Sequence, residues 1–178
     1  MIVKRYQQLF GIPTLAVRVA PVYGPLDRET WCRHVQSVPW MVANLAVAGE
    51  ELRVDGYDAV GDWIHAADVA QAIALLLRAP TAHYWVYNLA TGRAETVKAL
   101  LDIVAERIPV RERQVPTAEA NVVCDSERRF RRGAPYDVSR MRNEFGWQAA
   151  PLRQRMHEYI DWLLEQRSGG TAAGERET

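Results

Sequence analysis

Residues 10–25 read Phe10-Gly11-Ile12-Pro13-Thr14-Leu15-Ala16-Val17-Arg18-Val19-Ala20-Pro21-Val22-Tyr23-Gly24-Pro25, and this stretch decides the fold. Gly11 supplies a helix stop, and Pro13 keeps the chain from resuming the helix. Thr14 to Val19 is a run of β-branched and aliphatic residues, apolar on both faces apart from Arg18. A strand with one wet face would alternate. A continuous run suits a parallel strand buried between two layers. Val22-Tyr23-Gly24-Pro25 then ends the strand in a turn. A charge inside an apolar strand needs a partner, so Arg18 is expected to pair with Asp62 or Asp68.

Working outward, Ile2, Val3, Tyr6 and Phe10 fall at helical spacing, in a helix that opens the chain with no cap before it. Downstream, Trp31 to Ala48 is expected to be helical in part, with a strand at Leu52 to Val54. Asp62-Trp63-Ile64-His65 leads into a helix with Val69, Ala72, Ile73, Leu76 and Leu77 on one face, stopped by Pro80. Tyr84 to Leu89 is a second strand of the buried type. Thr96 is placed to cap a helix whose face is Val97, Leu100, Leu101, Val104 and Ile108. Residues 110–138 are expected to be irregular and polar, with a basic cluster at Arg128, Arg129, Arg131 and Arg132. Ser139 is placed to cap a short helix ending at Gly146. Leu152, Met156, Tyr159, Ile160 and Leu163 give a last amphipathic helix, and from Ser168 a disordered tail is expected. Only two strands read as buried on both faces. Two strands cannot cover themselves, so the pattern asks for more sheet than these residues supply.

Composition narrows the partners. The chain has 178 residues, 48% hydrophobic and 25% charged, as in an ordinary globular domain. Lys+Arg and Asp+Glu both number 22, so no global field steers the chain toward nucleic acid or an anionic membrane. The basic cluster lacks interleaved aromatic platforms apart from Phe130, so no nucleic-acid partner is expected. No apolar run is long enough to span a bilayer, and Met-Ile-Val-Lys-Arg-Tyr does not read as a targeting sequence. Cys32 and Cys124 lack metal-ligand spacing and read as free thiols, which points to a cytoplasmic location. His34, His83 and His157 form no metal pattern.

Four blocks carry a resemblance. They are Phe10-Gly11-Ile12-Pro13 with Arg18 and Val22-Tyr23-Gly24-Pro25; Asp62-Trp63-Ile64-His65-Ala66-Ala67-Asp68-Val69-Ala70; Tyr87-Asn88-Leu89-Ala90-Thr91-Gly92; and Asp137-Val138-Ser139-Arg140 through Phe145-Gly146-Trp147. In this order and at this spacing the set resembles the NAD(P)-dependent epimerase/dehydratase family of extended short-chain dehydrogenases. The resemblance implies an α/β fold: an incomplete Rossmann-type parallel sheet plus a small mixed α/β substrate-binding lobe. Residues 1–25 would be the last helix and strand of the Rossmann core. Residues 26–167 would form the lobe, with a returning Rossmann strand and helix near 84–108, and 168–178 the tail.

The resemblance also implies which chemistry to look for. Family members carry GxxGxxG, whose glycines admit a dinucleotide pyrophosphate, and later Tyr-x-x-x-Lys, in which lysine lowers the tyrosine pKa for acid–base work beside nicotinamide. Neither occurs among these 178 residues, where the only lysines are Lys4 and Lys98. Both are expected ahead of Met1. No catalytic residue is therefore assigned. NAD or NADP is the cofactor expected of the complete protein, with no tight binding by this chain alone. Val19, Ala20, Pro21 and Val22 occupy the place that approaches the nicotinamide. Tyr23, Trp31 and Trp40 fall where the substrate pocket is expected, and Arg129 and Arg132 are candidates for the arginine that reaches a substrate diphosphate.

Two positions depart from the family pattern. Pro21 stands where many epimerases have a substrate-binding Asn, and Gly61 where many have a diphosphate-gripping Arg. Asp62, His65 and Asp68 are expected to be structural. The function implied is the substrate-side part of an epimerase, dehydratase or reductase, an isomerase or oxidoreductase inactive without its other half. The substrate would be a nucleotide sugar or a related hydroxyl or keto compound. The competing reading is a non-catalytic binding protein or a subunit that pairs with a separate cofactor half. Relatives often pair through a four-helix bundle that includes the helix starting at Met1; this chain has only part of that bundle, so the resemblance leaves a homodimer open.

Overall fold

In the computed structural model, residues 2–31, 36–124 and 135–174 are described. The elements in chain order are α1 (Ile2–Phe10), β1 (Ala16–Val19), β2 (Val22–Tyr23), α2 (Val38–Val47), β3 (Leu52–Val54), β4 (Val60–Gly61), β5 (Ile64–His65), α3 (Ala66–Arg78), β6 (Val86–Leu89), β7 (Glu95–Thr96), α4 (Val97–Ala105), β8 (Glu112–Gln114), α5 (Ser139–Phe145) and α6 (Leu152–Gly174). A 3-10 turn covers Thr117–Glu119. None of the described helices is long and apolar enough to cross a membrane.

The strands pair in twos. β1 runs parallel to β6, with Ala16 opposite Val86 and Val19 opposite Leu89. β2 runs parallel to β5 and β3 parallel to β8, while β4 and β7 are antiparallel. Two cores result. One gathers α2, β3, α4 and α6 around Val42, Leu52, Leu100, Val104, Met156 and Ile160. The other lies on one face of the β1–β6 pair, where Ile64, Ala72, Tyr87, Leu89 and Met141 meet.

Local chemistry accounts for several boundaries. Gly11, at φ 65°, stops α1 and donates its N–H to the Gln7 carbonyl at 2.9 Å. Thr96 Oγ1 accepts the Ala99 N–H at 3.1 Å and caps α4. Gly146, at φ 64°, ends α5 in the left-handed conformation.

Four expectations need correction. β1 is not buried between layers: Ala16 and Val17 are half-buried while Arg18 and Val19 are exposed, because α3 and α5 cover only one face of the pair. Exposed Arg18 needs no buried counter-ion, and the carboxylates expected to meet it bond elsewhere, Asp62 to the turn after β6 and Asp68 to Arg155. Ser139 is the first residue of α5, so the N-cap position falls to Val138, whose side chain cannot cap. Asp137 takes that role, its Oδ1 accepting the Ser139 N–H at 2.9 Å. Residues 110–138 are not wholly irregular, since β8 lies there and pairs with β3. α6 itself runs to Gly174, and Ser168 Oγ donates to the Leu164 carbonyl.

Candidate functional site

The carboxyl ends of the parallel strands gather the residues of interest. After β1, the Ala20 N–H donates to the Leu89 carbonyl at 3.0 Å, and the Pro21 carbonyl accepts the Ile64 N–H at 3.0 Å. β2 then sets Tyr23 opposite His65. The chain reverses at Gly24–Asp27, closed by an Asp27 N–H to Gly24 carbonyl bond of 3.2 Å. Gly24 sits at φ 141°, and a Cβ there would lie 2.9 Å from His65 Nε2, so only glycine fits. Trp40, in the first turn of α2, donates its indole N–H to the Asp27 carbonyl at 2.9 Å. This bond ties the turn to the start of α2.

Behind the turn lies a polar cluster. The Tyr23 ring meets His65 edge-on at 5.3 Å and Tyr159 at 5.9 Å. Asn44 Nδ2 donates to Tyr159 Oη at 3.2 Å and to the Trp40 carbonyl at 2.9 Å. Asp68, 2% exposed, receives Arg155 Nη2 at 2.6 Å and Arg155 Nε at 3.1 Å. Arg155 Nη1 also donates to Glu158 at 2.6 Å. This buried pair joins the first turn of α3 to α6.

The electrostatics make the cluster a wall. Burial, and after it the Asp68 carboxylate, holds the Tyr23 hydroxyl far above the ordinary tyrosine range. Burial also pushes Tyr159 up to about 12. His65 is lowered by burial and by the Arg155 charge. The hydrogen bond to Asp68 holds Arg155 above its ordinary value. At neutral pH both tyrosines and the histidine are uncharged, and none of the three is tuned as an acid or base for chemistry there.

The start of α2 is different. Ser37 occupies the N-cap yet makes no side-chain cap bond, and a proline follows at the first helical positions. The first-turn amides of Val38 and Trp40 have no intrahelical acceptor. Gln36, only 5% exposed, has neither Oε1 nor Nε2 hydrogen-bonded, and the Ser37 hydroxyl is buried and likewise unpaired. Buried amide and hydroxyl groups without partners are costly, and they collect where a ligand supplies the missing bonds. The sequence carried one signal for this feature, Ser37 followed by Pro39 as a helix start, but nothing in it singled out Gln36.

The residues expected to touch cofactor are split between the surface and the second core. Val19 and Pro21 are exposed, Val22 is half-buried and Ala20 is buried. Of the substrate candidates, Tyr23 and half-buried Trp40 lie on the same wall, whereas Trp31 is 90% exposed. Arg129 and Arg132 fall outside the described residues. Asp62 accepts four bonds, from Thr91 N and Oγ1, Gly92 N and Tyr136 N, at 2.6–3.2 Å. It ties the turn after β6 to the entry of α5. At Gly61 a Cβ would fall 2.3 Å from the Trp63 ring, so the indole fills the space that a larger side chain would claim. An arginine at this position would have to displace it.

The fold recurs in known proteins. A family profile described as GDP-mannose 4,6 dehydratase matches residues 1–158. Among solved structures, UDP-glucose 4-epimerase from Thermotoga maritima, determined with UDP-glucose, is similar at 19% identity and a TM-score of 0.70 over 93% of this chain and 50% of that one. dTDP-glucose 4,6-dehydratase from Bacillus anthracis, in complex with NAD, is similar at 20% identity and a TM-score of 0.67, over 93% and 49%. RMD from Pseudomonas aeruginosa, complexed with NADPH, is similar at 18% identity and a TM-score of 0.67, over 93% and 52%. None of the curated proteins compared matches the chain. The chain spans about half the length of these solved relatives.

Proposed function

The chain belongs to the family described as GDP-mannose 4,6 dehydratase, within the NAD-dependent epimerases and dehydratases of the extended short-chain type, and from that premise we propose that it is the substrate-side portion of such an enzyme, taking a nucleotide sugar or a related phosphorylated hydroxyl or keto compound. The observation that carries this reading is the start of α2. Gln36 and Ser37 hold unpaired, buried hydrogen-bonding groups there, beside first-turn amides that have no intrahelical acceptor. Helix N-termini favour anions, and a diphosphate supplies both the charge and the oxygens these groups lack. In open α/β sheets, ligands sit at the carboxyl ends of the strands, where the Tyr23–Asp27 turn meets α2. Trp40 and Trp31 offer faces for a ring, and an arginine of the cluster holding Arg129 and Arg132 supplies a further phosphate contact.

The cofactor chemistry of this reading, hydride transfer with NAD or NADP, belongs to the complete protein. The chain by itself has no Tyr-x-x-x-Lys and is inactive alone. Pro21 removes an amide side chain, and Gly61, with Trp63 in its place, removes a guanidinium. The diphosphate is therefore held more by α2 than by the β4–β5 corner.

Titration of isotope-labelled chain with UDP-glucose and GDP-mannose, followed by amide shifts, tests this. The Val38 and Trp40 amides should move with at least one of the two. Gln36→Ala should weaken that binding about three- to tenfold, the loss of one or two hydrogen bonds. Binding that leaves these amides still, or that Gln36→Ala does not weaken, overturns the reading.

A further inference from the structure

We propose that His65 is an acid-sensitive latch: its neutral ring holds the first turn of α3 and the Tyr23–Gly24 turn in one arrangement, and a proton on Nδ1 releases both. The residue does two jobs at once. It is the N-cap of α3, where Nδ1 accepts the Ala67 N–H at 3.2 Å. That bond requires a bare Nδ1, so the ring proton sits on Nε2. Nε2 is buried without a hydrogen-bond partner and faces Gly24, as close as 2.9 Å to where a Cβ would stand. The ring thus contacts the turn at one nitrogen and caps the helix with the other.

Protonation breaks this arrangement because nothing nearby welcomes a cation. The added N–H on Nδ1 would point at the Ala67 N–H and remove the cap. The residue is 5% exposed, so the new charge would have little water. Each element packed around it is already committed. From β2 and its turn come the neutral Tyr23 ring and the Gly24 backbone. From α6 come the Arg155 guanidinium, which repels, the Tyr159 ring at 6.4 Å and the Glu158 carboxylate. From α3 itself comes Asp68. Asp68 is bound by Arg155, and Glu158 by Arg155 and Gln154, so neither is an idle counter-ion.

Burial and Arg155 lower the pKa in the folded chain. The folded state therefore binds fewer protons than the unfolded one through the window from the ordinary histidine value of about 6.5 down to the lowered one. The stabilisation is complete above that window and is lost as pH falls through it. Each pH unit of window width is a tenfold change in the folding constant. The loss is local first, because the cap and the turn are the groups the proton displaces.

His65→Asn is the test, since asparagine caps helices well and does not titrate. Urea unfolding of the whole chain at pH 7.5 and pH 5 should show the wild-type folding constant falling at least about threefold more than that of the variant. The other histidines and all carboxylates are common to both and cancel. On the wild type alone, the Ala67 and Gly24 amide shifts should titrate with the same midpoint as the His65 ring, below about 6.5. That measurement stands even if the variant does not fold. Equal pH sensitivity in the two proteins, or Ala67 and Gly24 amides that do not follow the His65 midpoint, overturns the proposal.

Discussion

The two cores of this chain are finished to different degrees. Around α2, β3, α4 and α6, Val42, Leu52, Leu100, Val104, Met156 and Ile160 are wholly buried. Around the β1–β6 pair, one face is packed, while Ile2, Tyr6, Leu9 and Phe10 of α1, Val19 of β1 and Leu77 of α3 are exposed. α1 lines up Ile2, Tyr6, Leu9 and Phe10 at helical spacing, yet buries none of its residues. Apolar patterning without burial marks a surface shaped for a covering layer, whereas the first core already has its own. The difference teaches that the first core is closed by its own elements, whereas α1 adds no buried residue to either core.

The comparison is broken most sharply at Arg155. Arg155→Ala would leave Asp68 buried and unpaired, and should cost about 3–5 kcal/mol in urea unfolding. A loss under about 1 kcal/mol would mean that the Asp68–Arg155 pair does not hold α3 to α6. Next come paired truncations on the two sides. Leu100→Ala, in the closed core, should cost about 2–5 kcal/mol. Phe10→Ala, on the open stripe, should change stability by no more than about 0.5 kcal/mol. Similar costs at the two positions would show that α1 is packed in solution and erase the distinction between the regions.

Much of the architecture was legible in the sequence. The periodicity of α1, α3, α4 and α6, the positions of strands β1 and β6, and the Thr96 cap all follow from patterns within a few residues, although neither strand is buried on both faces. What escaped had no local signal. β2, β4, β5 and β7 are two residues long, too short for alternation to register. β8 is Glu-Arg-Gln, a polar strand that exists because β3 offers it a partner. Asp68 and Arg155 meet across 87 positions, and only the folded chain brings them together. Arg18 misled because an apolar run was read as buried on both faces, while only one face is covered. At the candidate site, the Tyr23-Gly24-Pro25 turn and Trp40 were visible as types of residue. Gln36 was not, because an unpaired amide is a property of surroundings rather than of sequence.

The claim that the chain is the substrate side of a divided task is tested most directly by titrating it with NADH and following the nucleotide's fluorescence, with UDP-glucose present. The account predicts no saturable binding up to about millimolar NADH, an affinity no better than about −4 kcal/mol, and no oxidation of the nucleotide. Micromolar binding with measurable hydride transfer would contradict it, since cofactor recognition and chemistry would then reside in these residues.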